Sequence, residues 1–137
     1  MRAEGTTWHP GRGWSAPGLP DLDSDRSLVV AFGDARLRDF SEPLHELRDA
    51  YPLSAVLGCS TAGQIAGDTL SDGTVSVATA SFDDVDLRVA TAPVEDSGGS
   101  AEAGRELAAT LADTGLRHVL VFSDGVVVNG SELVRGM

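Results

Sequence analysis

Leu28-Val29-Val30-Ala31-Phe32-Gly33 is an unbroken apolar run closed by glycine, and its reading decides the fold class. A run with no polar position offers no face to water, so it predicts a short strand covered on both sides by other elements. Toward the C-terminus, Asp39 is placed to cap a helix, with Glu42 three residues on and Pro43 in the first turn. Phe40, Leu44, Leu47 and Tyr51 then fall on one helical face, and Pro52 ends the segment. Ser54-Ala55-Val56-Leu57-Gly58-Cys59 is a second short buried strand. Residues 60–72 hold small and turn-forming side chains and read as a loop over an edge of the sheet.

The period then changes to two. Residues 74–82 and 85–94 read as strands joined by Asp83-Asp84 in a tight antiparallel hairpin. Residues 95–100 form a loop ending in Ser100 as N-cap, and the helix that follows carries Ala103, Leu107 and Leu111 and stops at Gly115. His118-Val119-Leu120-Val121-Phe122 is a further buried strand, Asn129-Gly130 a turn, and Ser131-Glu132-Leu133-Val134 the start of another helix. On the N-terminal side of the opening run, residues 1–26 are rich in Gly, Pro, Ser and Asp and read as an irregular arm. Both tryptophans, Trp8 and Trp14, lie in it, and their large apolar area is expected to pin the arm to the domain. The order predicts an α/β domain over residues 27–137, a layered mixed β-sheet flanked by helices.

Charge and composition narrow the function. The 137 residues carry 21 acidic against 10 basic side chains, a net charge of −11, and every basic residue is Arg. No basic cluster exists to displace counterions from nucleic acid or to dock on an anionic membrane, and a catalytic lysine is excluded. The one cysteine, Cys59, cannot form an internal disulfide, and with His9, His45 and His118 it gives no zinc-ligand spacing. The first 20 residues lack the apolar segment of a secretory signal, and no run approaches the ~18 apolar residues of a membrane span. A soluble, cytoplasmic protein is expected.

Two stretches lie at the carboxyl ends of buried strands, where open α/β sheets bind ligands. The first is Gly58-Cys59-Ser60-Thr61-Ala62-Gly63-Gln64-Ile65, the second Ser123-Asp124-Gly125 through Asn129-Gly130-Ser131-Glu132. Neither matches a nucleophile elbow or a phosphate loop: Ala62 replaces the final glycine of the first, and the lysine of the second is missing. The backbone amides of residues 60–63 and of the helix start at Ser131 could hold a carboxylate, and Asp124 could pair with an ammonium group. An amino acid carries both charges. The plainer alternative is that Cys59 and Ser60 pack behind the sheet while Asp124 and Asn129 shape turns. Two other readings stand beside it. One is an α/β hydrolase-like enzyme with Cys59 or Ser60 as nucleophile and His118 as base, which lacks a third group to orient the base. The other is a haem protein with His45 or His118 as proximal ligand. The acidic groups Asp21-Asp23-Asp25 and Asp83-Asp84-Asp86 read as solvated turns rather than metal sites, since neither has the glycine and distant Glu of a calcium loop.

Leu57-Gly58-Cys59-Ser60-Thr61-Ala62-Gly63-Gln64-Ile65 resembles the "GCSTAGEI" signature of the FIST N-terminal sensory domain. Phe122-Ser123-Asp124-Gly125, with Asn129-Gly130-Ser131-Glu132-Leu133-Val134-Arg135-Gly136, resembles that domain's "FSDG…NGSELVRGL" stretch. Two separated motifs in the right order make the resemblance specific, and it covers residues 27–137. It implies a bacterial intracellular sensory domain without catalytic activity that binds small ligands such as amino acids and is coupled to a signalling output protein. It implies no cofactor, although some relatives are regarded as haem-binding nitric-oxide sensors. Carried over by position, the candidate ligand-binding residues are Gly58, Cys59, Ser60, Thr61, Ala62, Gly63, Asp124, Gly125, Asn129 and Gly130. The ligand is expected where the two stretches meet. Gln64 stands where the family more usually has Glu. The family's domain also continues beyond the position of Met137, so the sheet is expected to be incomplete at its C-terminus and the chain to be a truncated gene product.

Overall fold

The computed structural model describes residues 1–36 and 41–137, which divide into two compact units, residues 1–87 and 88–137. In the first unit, strands β1 (Arg2–His9), β2 (Gly13–Trp14), β3 (Ser27–Asp34), β4 (Ala55–Thr61) and β7 (Val75–Ser81) form a sheet in the order β2-β1-β7-β3-β4. The sheet is mixed, as expected for an α/β fold. β3 and β4 are parallel, with Phe32 level with Cys59, whereas β7 runs antiparallel to both β1 and β3. The connection between the parallel strands contains helix α1 (Ser41–Ala50), because a parallel pair needs a crossover.

The opening run is therefore β3, hydrogen-bonded on both edges. Its two faces are unequal: Val29 and Ala31 are buried, while Leu28, Val30 and Phe32 are half-buried. Val29 and Ala31 join Trp8, Val75, Val77, Leu47 and Tyr51 in one core cluster between sheet and helix. Leu47 on α1 and Tyr51, the residue just past its end, point inward four residues apart, and Leu44 lies outside that face, 47% exposed. The Tyr51 hydroxyl donates to the Pro20 carbonyl at 2.6 Å and accepts from Thr79 Oγ1 at 3.3 Å. Burial holds that phenol above its ordinary pKa. The expected cap Asp39 and the expected face residue Phe40 lie outside the described residues.

Several expected elements are corrected in this unit. Residues 1–26 are not irregular throughout, because Arg2–His9 is a full strand paired with β7 from Arg2–Ser81 to Trp8–Val75. The threonines and Trp8 supply β-formers there, and Trp8 alternates inward to the core. Trp14 packs at the edge of the same cluster, and its indole N–H donates to Glu46 at 2.5 Å. The tryptophans thus pin the segment, as expected, by making it part of the sheet. With β1 on one side of β7 and β3 on the other, no edge is left for residues 85–94, which carry no regular structure and form no hairpin with β7. Residues 60–72 are not a loop throughout either. Ser60 and Thr61 belong to β4, and β5 (Gln64–Ala66) pairs antiparallel with β6 (Thr69–Ser71). Gly67 at φ 62° opens their two-residue turn, the glycine-first pattern of a type II′ hairpin.

The second unit is built on two helices, α2 (Ser100–Leu111) and α3 (Gly130–Gly136), preceded by a 3₁₀ turn at Ser97–Gly99. Asp96 caps that turn by accepting from Gly98 N at 2.8 Å. Ser100 is the first residue of α2 rather than its cap, and α2 ends at Leu111, ahead of the expected stop at Gly115. A methyl group on Gly104 would collide with the Leu133 carbonyl oxygen, and one on Gly136 with that of Ala101. Glycine at both positions lets the helix backbones touch. Residues 118–122 form no strand, and Val119, Leu120 and Val121 are exposed. An apolar β-type sequence acquires strand geometry only within a ladder, and the ladders described are β2-β1-β7-β3-β4 and β5-β6 of the first unit. No helix among the described residues is long and apolar enough to cross a membrane.

Candidate functional site

Four of the expected binding residues, Gly58, Cys59, Ser60 and Thr61, are consecutive in the edge strand β4, and Ala62 and Gly63 link it to β5. Cys59 is half-buried beside Phe32 of β3. Gly58 is required by packing, since a Cβ there would lie 2.8 Å from the Ala31 carbonyl oxygen. At Gly63 a Cβ would lie 3.1 Å from Leu70 Cδ1.

The residue that follows carries most of the local structure. Gln64 is 1% exposed, and its side chain enters a polar cluster at the carboxyl end of β3. Its amide oxygen accepts from the Asp34 N–H at 3.2 Å and from the Thr61 hydroxyl at 3.0 Å, and its nitrogen donates to the Ser71 carbonyl at 3.2 Å. Its two terminal atoms also lie 3.3 Å from the Thr61 carbonyl oxygen and 3.3 Å from Thr74 Oγ1. Asp34, 2% exposed, completes the cluster. Its carboxylate accepts from Arg36 Nε and Nη2, from the Arg36 backbone N–H at 2.9 Å and from the Gly73 N–H at 2.7 Å. The Arg36 side-chain bonds, followed by those two backbone donors, hold Asp34 far below the usual carboxylate range. Asp34 and Gln64 were absent from the expected site residues. The available signal was an Asp directly after the glycine that ends a buried run, with Arg two residues on.

The second stretch belongs to the other unit. Asp124 Oδ1 accepts from Val126 N at 2.7 Å and Val127 N at 2.8 Å. The Val127 N–H, then the Val126 N–H, lower its pKa, so it is ionised at neutral pH. Asn129 is the N-cap of α3, its Oδ1 accepting from Glu132 N at 3.2 Å, so the cap lies two residues ahead of the expected Ser131. The Asn129 backbone N–H donates to the fully buried Ser100 hydroxyl at 2.9 Å, which ties the stretch to α2. A methyl at Gly125 or Gly130 would meet nothing within 4 Å, so packing does not require glycine at either position.

Between this stretch and the helices lies a cavity of about 180 Å³. Its walls are Ala92, Val94, Ala103, Leu107, Val121, Phe122, Val128 and Leu133, with Ser123 and Asp124 as the polar contribution. That is an open cleft whose lining mixes apolar side chains with Ser123 and the Asp124 carboxylate, smaller than the ~300–1,000 Å³ of drug-sized ligand pockets. It does not fit a haem: the volume is too small and no histidine lines it. Of the two histidines considered as axial ligands, His45 is exposed on α1, and His118 is exposed and opens no strand. Among the described residues, no group of three or more His, Cys, Asp and Glu is placed to hold a metal ion.

No curated protein and no solved structure matches the chain significantly. The family model of the FIST N domain matches residues 27–137. The match spans both motif stretches, the parallel pair β3–β4 and the helices α2 and α3. The chain belongs to the FIST N domain family, a family associated with sensory signal transduction.

Proposed function

We propose that the chain is a non-catalytic sensing domain for a small amphiphilic ligand, with the 180 Å³ cavity of the second unit as its pocket. The observation that carries this reading is a cleft that combines apolar side chains with an ionised aspartate, Asp124, among the lining residues. A carboxylate at the edge of a cleft that also offers apolar side chains suits a cation on a small apolar body, and an amino acid with a short aliphatic side chain meets that description. Residues 58–63 of the first unit are a separate candidate ligand-contacting stretch. The ligand acts by differential affinity for two conformations, since equal affinity for both shifts nothing. The domain works in the bacterial cytoplasm without nucleic acid or membrane and hands its state to a signalling output protein.

A thermal-shift screen against the aliphatic amino acids tests this. Saturation at ~100 times Kd stabilises by about 2.7 kcal/mol, and Asp124→Ala should remove most of that shift, read against the variant's own unliganded melting temperature, which itself falls with the loss of the bonds from Val126 N and Val127 N. If no amino acid moves the transition of the full chain, the reading fails.

A further inference from the structure

We infer that Gln64 is a positioning residue for the 58–63 stretch, and that this chain requires an uncharged amide at that place. The inference rests on the reading of residues 58–63 as ligand-contacting, which it deepens by naming what fixes their backbone. Gln64 is 1% exposed, so its side chain meets protein and not solvent. One of its terminal atoms lies 3.2 Å from the Ser71 carbonyl oxygen, the other 3.3 Å from the Thr61 carbonyl oxygen. The amide nitrogen can donate to a carbonyl, and the amide oxygen takes the Asp34 N–H and the Thr61 hydroxyl. One side chain therefore ties the end of β4, the end of β3 and the strand β6. Asp34 ties the same end of β3 to Gly73 at 2.7 Å, so the two buried side chains hold the C-terminal end of the β5–β6 hairpin at Ser71 and Gly73.

A carboxylate of the same shape would have no hydrogen to offer and would set an oxygen against the Ser71 carbonyl, where the amide nitrogen donates. Only its protonated form reproduces the donor. The titratable groups on the elements packed around Gln64 are Asp34 and Arg36 at the end of β3, Asp68 and Asp72 flanking β6, and His9 at the end of β1. Asp34 is matched by Arg36, so the remaining acidic groups push a carboxyl at position 64 further toward protonation.

Hydrogen exchange on the full chain, with no ligand present, reads this directly. In Gln64→Glu, protection of the amides of residues 61–74 is expected to fall at least about tenfold at about pH 8 and to recover toward wild type at about pH 5, as the carboxyl regains its proton. In Gln64→Leu, which offers neither donor nor acceptor, protection is expected to fall at both pH values. If Gln64→Glu unfolds wholly at about pH 8, refolding on acidification carries the same meaning, and failure to refold overturns the inference. Wild-type protection in Gln64→Glu at the higher pH, or an equal loss at both, also overturns it. Because no ligand enters the measurement, a negative amino-acid screen and a negative exchange result remain distinct.

Discussion

The first unit closes its core between a five-stranded sheet and one helix, whereas the second brings two helices so near that Gly104 and Gly136 leave no room for a methyl group. In the first, large side chains such as Leu47, Tyr51 and Trp8 fill the space between layers. In the second, the contact is made by removing side chains, and the larger apolar residues line a cavity instead. The polar chemistry differs as well. Asp34 and Gln64 are buried, and every bond described for them goes to protein, while Asp124 is exposed and beside open space. A buried, satisfied cluster fixes distant strand ends to one another; the exposed Asp124 carboxylate closes its own turn through Val126 N and Val127 N.

Three substitutions test that contrast, from the largest expected effect to the smallest. Leu47→Ala removes the most buried large side chain of the α1 face and should cost about 2–5 kcal/mol, seen as a lowered thermal midpoint and faster exchange of the β3 and β7 amides. A cost near zero would mean that the sheet does not rely on α1. Gly104→Ala places a methyl against the Leu133 carbonyl and should cost about 1–3 kcal/mol, with lost protection in α2 and α3. Unchanged helical exchange would break the claim of backbone contact there. Asp34→Asn should be destabilising at neutral pH and progressively less so in acid. The sign follows from the lowered pKa: Asp34 contributes its full stabilisation above the ordinary carboxylate range near pH 4 and loses it as pH falls through and below that range. Acid titration of both proteins should therefore converge, and curves that run parallel down to about pH 2 would show that Asp34 is not held as described.

Much of the framework is legible residue by residue. The run at residues 28–33 is β3, residues 54–59 largely become β4, and the apolar spacing of Leu47 with Tyr51 gives the inward face of α1 and of the residue just past its end. The candidate site is legible only as a pair of stretches. Residues 58–63 fall mostly within β4 rather than in a loop, and Gln64, noticed only for replacing a more usual Glu, proves to be the buried tie beside them. Small residues around Gly67 conceal a hairpin, because a two-residue turn between three-residue strands leaves almost no periodicity to read.

What the sequence determined by itself is local: which runs are apolar, where the chain turns, which residues can cap a helix, and the two motifs that place the chain in its family. A helix satisfies its own backbone within a few residues, so α1, α2 and α3 follow closely from local pattern. A strand does not, because each of its hydrogen bonds belongs to another segment. Only the tertiary structure decided that Arg2–His9 would sit beside β7, that residues 85–94 would be displaced from that place, and that the apolar residues 118–122 would form no strand. The same holds for Asp34 and Gln64, whose partners are distant in sequence and whose role exists only where three strand ends converge.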